Sequence, residues 1–303
     1  MRTPFRLTTL VSFLLASSLC TGQSEDLGNR TKYNFNPDWK FLQADPGDAQ
    51  EIDYNDSTWS TVSAPHTFND VDSFDDLSEG RHNGEANQWR GTVWYRKHFK
   101  LPDSDAGKKV YIEFESVRQV ADVYINGSHL GRNRTGFIPF GYDLTEHLNF
   151  GEESNVIAVR VNNDRGDHFR DNFPLVWNHE HWHPTHGGIY RNVFLHTLDP
   201  LHITLPLHDN LRTVGTYVYT ENVTETNADV TVQAEVKNGH PMARLVEFVA
   251  KIIDDDGRVV EIIETEKKLE SGETHNFSVR GSVKNPNRWF LRHPYLYTVL
   301  TTL

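Results

Sequence analysis

The densest run of chemistry-bearing side chains lies between Trp177 and His186 and reads Trp-Asn-His-Glu-His-Trp-His-Pro-Thr-His. Within it, His179-Glu180-His181-Trp182-His183 matches the H-E-x-x-H spacing of zinc peptidases, which needs a helix to bring two imidazoles to one face. Pro174 and Pro184 bracket the run, Gly187-Gly188 follow it, and no 3.6-residue apolar period runs through it. A helix is therefore not expected, and peptidase chemistry is excluded. In an extended strand alternate residues share a side, so His179, His181, His183 and His186 could converge on a metal. Nothing else in the chain demands one, and no metal or cofactor is expected. The other chemistry open to this loop is sugar recognition: aromatic faces stack on pyranose C–H surfaces, and carboxylates and amides take hydroxyl pairs. The plain alternative is a loop packed on its own domain.

Such a loop needs a frame, and the frame reads as all-β. Thr92–Phe99, Lys109–Phe114, Gln119–Ile125 and Val156–Val161 alternate or are continuously apolar, with Asn126-Gly127 as a hairpin signal. Further on, Val214–Thr220, Asp229–Val236, Val246–Ile253, Val259–Glu266, Thr274–Val279 and Leu296–Leu303 follow at short intervals, and Asp254-Asp255-Asp256-Gly257 closes a hairpin. Short strands at regular spacing predict two β-sandwiches, residues 31–204 and 205–303. The polar, acidic stretch around Asp70, Asp72, Asp75 and Asp76 reads as a solvated loop. Trp94, Tyr111, Tyr124 and Val159 are expected in the core. Arg96, Asp122 and Asn126 are expected as scaffold polar groups, with Arg191 paired to a carboxylate and His66 structural.

With 42 Asp+Glu against 30 Lys+Arg and no basic patch, nucleic acid is excluded as a partner. Residues 1–22 carry Arg2 and Arg6, an apolar run from Leu7 to Leu15, then small residues, which predicts a signal peptide. A polar linker, 23–30, follows. The apolar run is too short to span a bilayer, and no other segment could. Export to a periplasmic or secreted, bacterial setting is expected. Cys20 is the only cysteine, so no intramolecular disulfide forms, and Leu19 before it disfavours lipid attachment.

Several motifs occur together in a familiar order. His186-Gly187-Gly188-Ile189-Tyr190-Arg191-Asn192-Val193, Trp94-Tyr95-Arg96-Lys97, Ala121–Gly127 and Asn133-Arg134-Thr135-Gly136-Phe137 resemble the N-terminal sugar-binding domain of glycoside hydrolase family 2. Trp289-Phe290 and Pro294–Val299 resemble the end of its second domain. The family includes β-galactosidases, β-glucuronidases and β-mannosidases, and the β-galactosidase branch looks most similar. The resemblance implies a jelly-roll (galactose-binding-like) sandwich followed by an immunoglobulin-like one. It also implies three substrate-binding residues: Glu180 and Trp182 on the loop before the Gly-Ile-Tyr-Arg strand, and Asn133, whose amide offers a sugar both donor and acceptor. Against that, Asn133 and Gly136 could simply build a turn.

The family's two catalytic carboxyl groups, roughly 5–5.5 Å apart in a retaining enzyme, sit on a (β/α)₈ barrel of about 250 residues. Its acid/base follows an Asn, and this chain contains no Asn-Glu dipeptide and no helical period after the leader. No catalytic residue is therefore assigned. The expectation is a non-catalytic N-terminal part of a family 2 enzyme. It would contribute sugar binding and scaffold to hydrolysis of a β-galactoside or related glycoside, with the barrel in cis or on a partner chain. A free-standing carbohydrate-binding module and a protein-interaction module without sugar affinity are the alternatives.

Overall fold

The computed structural model describes residues 24–26, 30–68, 91–163, 187–206, 208 and 210–303. It is all-β, two sandwiches in series. The first joins a five-stranded sheet, in the order β1 (Ser24–Asp26), β2 (Arg30–Asn34), β11 (Val193–Leu198), β6 (Lys109–Phe114), β9 (Phe140–Asp143), to a six-stranded one. The six run β4 (Ser60–Val62), β3 (Trp39–Leu42), β5 (Thr92–Phe99), β10 (Asn155–Asn162), β7 (Ala121–Ile125), β8 (Ser128–Asn133). Every pairing is antiparallel, and the chain passes back and forth between the sheets, the jelly-roll arrangement.

Alternation explains the core. Ile157, Val159 and Val161 of β10 and Val110, Ile112 and Phe114 of β6 point between the sheets with Phe35, Trp39, Tyr95 and Leu195. Most of the remaining residues of β5 and β10, His98, Arg160 and Asn162 excepted, are buried as well, because the segment from Asp45 to Trp59 lies over the outer face. There Ala49 and Trp59 pack on Trp94 and Ala158. A strand covered on both sides reads as continuously apolar rather than alternating, as β10 does.

Arg96 fastens that cover. Its side chain is fully buried and donates from Nε to Asp56 (2.8 Å), from Nη1 to the carbonyls of Ala49 (2.5 Å) and Glu51 (2.9 Å), and from Nη2 to that of Tyr54 (3.4 Å). Burial alone would raise Asp56, but the bonds from Arg96 and His98 outweigh it and hold the carboxyl below its usual range.

The second sandwich sets β14 (Asn227–Asn238), flanked by β12 (Leu201–Ile203), β13 (Thr216–Glu221) and β17 (Thr274–Lys284), against β15 (Arg244–Ile253) with β16 (Val259–Leu269) and β18 (Thr298–Thr302). Val230, Val232, Ala234 and Val236 of β14 meet Val246, Phe248, Ala250 and Ile252 of β15.

Two stretches differ from expectation. Ser24–Asp26, placed in the linker, pairs with β2 at the sheet edge. Edge pairing uses only backbone groups, so polar side chains give no warning of it. Leu201–Ile203, placed in the first sandwich, pairs with β14 of the second, directly after a turn at Asp199-Pro200 in which Asp199 Oδ1 accepts from Leu201 N–H at 2.8 Å. Among the described residues no helix is long and apolar enough to cross a membrane.

Candidate functional site

One end of the first sandwich gathers the connections that carry the sequence motifs. There Val120 N–H donates to Asn162 O, and Asn162 N–H donates back at 2.8 Å. His66 N–H donates to Ile189 O at 2.7 Å, and Phe68 N–H to Gly187 O at 3.1 Å. Asn163 and Gly91 hold each other through Asn163 N–H to Gly91 O at 3.1 Å and Gly91 N–H to Asn163 Oδ1 at 2.9 Å. Phe68 is thus fastened beside Gly187, and Gly91 beside Asn163. These four residues are where the 69–90 and 164–186 connections leave and rejoin the sandwich. Glu180, Trp182, the histidine run and the acidic stretch around Asp72 all fall on those connections and lie outside the described residues.

The Gly187-Gly188 pair belongs to the same ladder. Gly188 exchanges backbone bonds with Arg118 at 2.6 and 2.9 Å and adopts a φ of 129°, which favours glycine. A Cβ there would stand 2.5 Å from the His66 carbonyl oxygen and 2.7 Å from the Tyr95 hydroxyl, and one on Gly187 would meet the Phe68 ring at 2.1 Å. His66 is scaffold: its Nδ1 lies 2.8 Å from that same Tyr95 hydroxyl, and burial pushes its imidazole down.

Asn133 ends β8 and builds the turn considered for it. Its Oδ1 accepts from Thr135 N–H at 2.8 Å and from Thr135 Oγ1 at 3.0 Å, an Asx turn. Its Nδ2 is buried without a partner among the described residues. The acceptor therefore builds the turn and the donor is left over. Asn133 lines a cavity of about 230 Å³ with Arg134, Ile138, Phe140, Tyr142 and Asn210. Burial pushes the Tyr142 phenol up to about 12, so it stays a hydroxyl donor.

Two residues that sequence reasoning did not single out support this loop. Tyr190 donates its hydroxyl to Gly136 O at 2.6 Å, joining the Gly-Ile-Tyr-Arg strand to the Asn133 turn. Tyr190 already stood in a quoted motif, so its placement beside that strand was the available signal. Gln119, 1 % exposed, lies under Gly136, where its Oε1 would be 2.5 Å from an added Cβ, and neither amide atom has a partner among the described residues. Nothing in its sequence context marks it. Asn133 and Gly136 are brought together with the Gly187-Gly188 ladder through Tyr190 and Arg118.

The scaffold assignments for Arg96, Asp122 and Asn126 hold. Asp122 takes a two-pronged contact from Arg132 (2.9 and 2.9 Å) and one from His129 (3.0 Å), and Asn126, in the β7–β8 turn, pairs with Asn155 and Val156 at the start of β10. Arg191 differs: it is exposed with its guanidinium over the Tyr190 ring at 5.9 Å, because the irregular residues before β11 turn it outward. Trp94 and Tyr111 are buried on outer faces rather than between the sheets, and Tyr124 is half-buried.

Residues 39–199 match the family model described as glycosyl hydrolases family 2, sugar binding domain, and residues 212–303 match that of glycosyl hydrolases family 2. A β-glucuronidase of Formosa agariphila is 66 % identical over 274 residues, spanning 90 % of this chain and 28 % of that protein. A β-galactosidase of Thermoanaerobacter pseudethanolicus is 32 % identical, over 90 % of this chain and 33 % of its own length. A solved family 2 β-glucuronidase superposes with a TM-score of 0.85 at 66 % identity, covering 90 % of this chain and 28 % of that one. A β-glucuronidase of Bacteroides uniformis superposes at 0.76 with 29 % identity, covering 90 % and 30 %. The chain thus spans about a third or less of the length of these relatives.

Proposed function

The chain belongs to family 2 of the glycosyl hydrolases, and from that premise we propose that it is the sugar-binding and scaffolding portion of a glycosidase whose catalytic carboxylates lie on a (β/α)₈ barrel. Asn133, Glu180 and Trp182 hold the sugar: the ring of Trp182 stacks on it, and Glu180 and the Asn133 amide take its hydroxyls. The observation that carries this reading is that Asn133, whose buried Nδ2 has no partner among the described residues, lines a cavity on the turn that Tyr190 ties to the stretch following the 164–186 connection. A β-glucuronide, rather than the β-galactoside suggested by motif resemblance, is the proposed substrate. The 66 % identity to a β-glucuronidase against 32 % to a β-galactosidase supports it.

The second sandwich supports the scaffolding half of the proposal. Trp289, Phe290, Leu291 and Leu296 are 54, 53, 88 and 69 % exposed. Large apolar side chains clustered this way fit packing against further polypeptide. Residues 1–22 are proposed to export the protein to the periplasm or medium, which N-terminal sequencing of the mature protein checks.

Calorimetry of the purified chain with aryl β-glucuronide and β-galactoside tests the sugar site. Trp182→Ala is expected to weaken binding about tenfold, the worth of one aromatic contact. Asn133→Ala is expected to weaken it several-fold through one lost hydrogen bond. Affinity unchanged in both variants would sink the site assignment, and the absence of any glycoside affinity would leave a protein-contact role.

A further inference from the structure

The outer face of the five-stranded sheet is covered by the connection between the two sandwiches. Leu205 and Leu211 of that connection pack on Tyr111 and Leu198. Asn210 pairs with both backbone groups of Gly141 on β9: its Nδ2 donates to Gly141 O, and its Oδ1 accepts from Gly141 N–H at 3.2 Å. A Cβ on Gly141 would lie 2.7 Å from Ile112 O and about as close as contact allows to Leu211 and His208, at 3.4 and 3.5 Å. Bare backbone at this position lets the connection seat. Arg30 of β2 adds a bond to Ile203 O at 3.3 Å.

Beneath the seated connection lies a polar cluster that the sugar site does not use. Glu113 of β6 stands between His196 of β11, with Nε2 2.7 Å from its Oε2, and His208 of the connection, with Nε2 3.5 Å from its Oε1. His196 is 5 % exposed and His208 1 %; His196 Nδ1 and both ring nitrogens of His208 have no hydrogen-bond partner among the described residues, so His208 meets Glu113 at ion-pair distance only. Arg30 on β2 acts on both Glu113 and His196, and Lys32 on His196. Tyr111 on β6 is the cross-strand neighbour of His196 and meets Asp143 of β9, while His202 and Lys237 of the second sandwich lie one step out, with His202 facing Arg30.

A neutral His196 bearing its hydrogen on Nε2 donates to Glu113 and leaves Nδ1 only an unfilled acceptor. An imidazolium in the same place would add a buried N–H with nothing to accept it. It would also put another positive charge beside Arg30 and Lys32. Burial accordingly holds His196 below its ordinary value, in spite of the Glu113 bond. Burial also opposes the charge on Glu113, but the two histidines outweigh it and hold that carboxyl well below the usual range.

We infer that Glu113, His196 and His208 form an acid-sensitive latch, which fixes the second sandwich on the first while His196 is neutral and lifts when His196 takes a proton from solvent. The sign follows from linkage. An imidazole kept neutral when docked and free to charge when lifted favours the lifted form as pH falls below about 6.5, the ordinary histidine value. The ratio of lifted to docked chain then rises about tenfold per pH unit, until the docked form itself takes the proton.

Hydrogen exchange on the purified chain, corrected for intrinsic rates, tests this between about pH 7.5 and about pH 5. Peptides containing Gly141 and Thr213 are expected to lose protection about tenfold per unit below about 6.5, while those containing Val232 and Val279 in the second core keep theirs. His196→Gln keeps an uncharged donor toward Glu113 and is expected to flatten the dependence. Protection indifferent to pH in the native chain would overturn the latch, as would a slope that survives in His196→Gln. Should that variant not fold, the His196 ring-proton titration in the native chain decides: proton uptake at or above the ordinary value in the docked state overturns it.

Discussion

Replacing Arg96 with alanine will lower the unfolding free energy of the first sandwich by about 3–5 kcal/mol, the usual cost of removing one partner from a buried ion pair. The guanidinium has no exposed surface, and four acceptors depend on it. Asp56 would stay behind at 10 % side-chain exposure with only the half-exposed His98 to answer its charge. The carbonyls of Ala49, Glu51 and Tyr54 would lose their donor while still covered. Arg96→Lys keeps the charge but is a point donor without the planar fork, so it recovers only part of the loss. Denaturant unfolding measures both variants. A loss below about 1 kcal/mol, the ordinary yield of an exposed pair, would show that the covering segment is held by its apolar contacts alone.

Gly188→Ala is the second large effect expected, about 3 kcal/mol or more, since backbone strain at such a φ costs of order 1–3 kcal/mol before any clash is added. The clash is not with a flexible side-chain tip. The nearest atom is the carbonyl oxygen of His66, whose own N–H is bonded to Ile189 O, and the next is the Tyr95 hydroxyl, which the His66 ring already binds. Relief would require the Gly187–Phe68 pair to part, so sugar affinity is expected to fall together with stability. Gly47→Ala is the control: it is exposed, nothing lies within 4 Å of the added carbon, and a change within about 0.5 kcal/mol is expected. Equal effects from the two substitutions would mean that the close approach at Gly188 relaxes freely.

Most of the frame was legible because it rests on local periodicity. The apolar run of β10 and the strict alternation of β14 announce a doubly covered strand and a half-covered one, and the structure covers them so. The Asn126-Gly127 turn was legible because both residues adopt positive φ, which few other pairs tolerate. Elements held by backbone pairing alone were not legible: β1 and β12 have three residues each, too few for a period. The turn at Asn133 could be stated only as one of two choices, since the sequence shows an amide but not which of its atoms Thr135 occupies. The Glu113–His196–His208 cluster was invisible for a different reason. Its members come from β6, β11 and the inter-sandwich connection, the first two 83 positions apart, and alternation marks Glu113 and His196 merely as outward-facing.

The pairing of Phe68 with Gly187 and of Gly91 with Asn163 has an evolutionary corollary. Both ends of each segment are fixed by these pairs, so a change in its length leaves the register of the flanking strands unchanged. On the sugar-binding role proposed above, ligand preference would drift by insertion, deletion or exchange of these two segments while the mould that carries them is inherited intact.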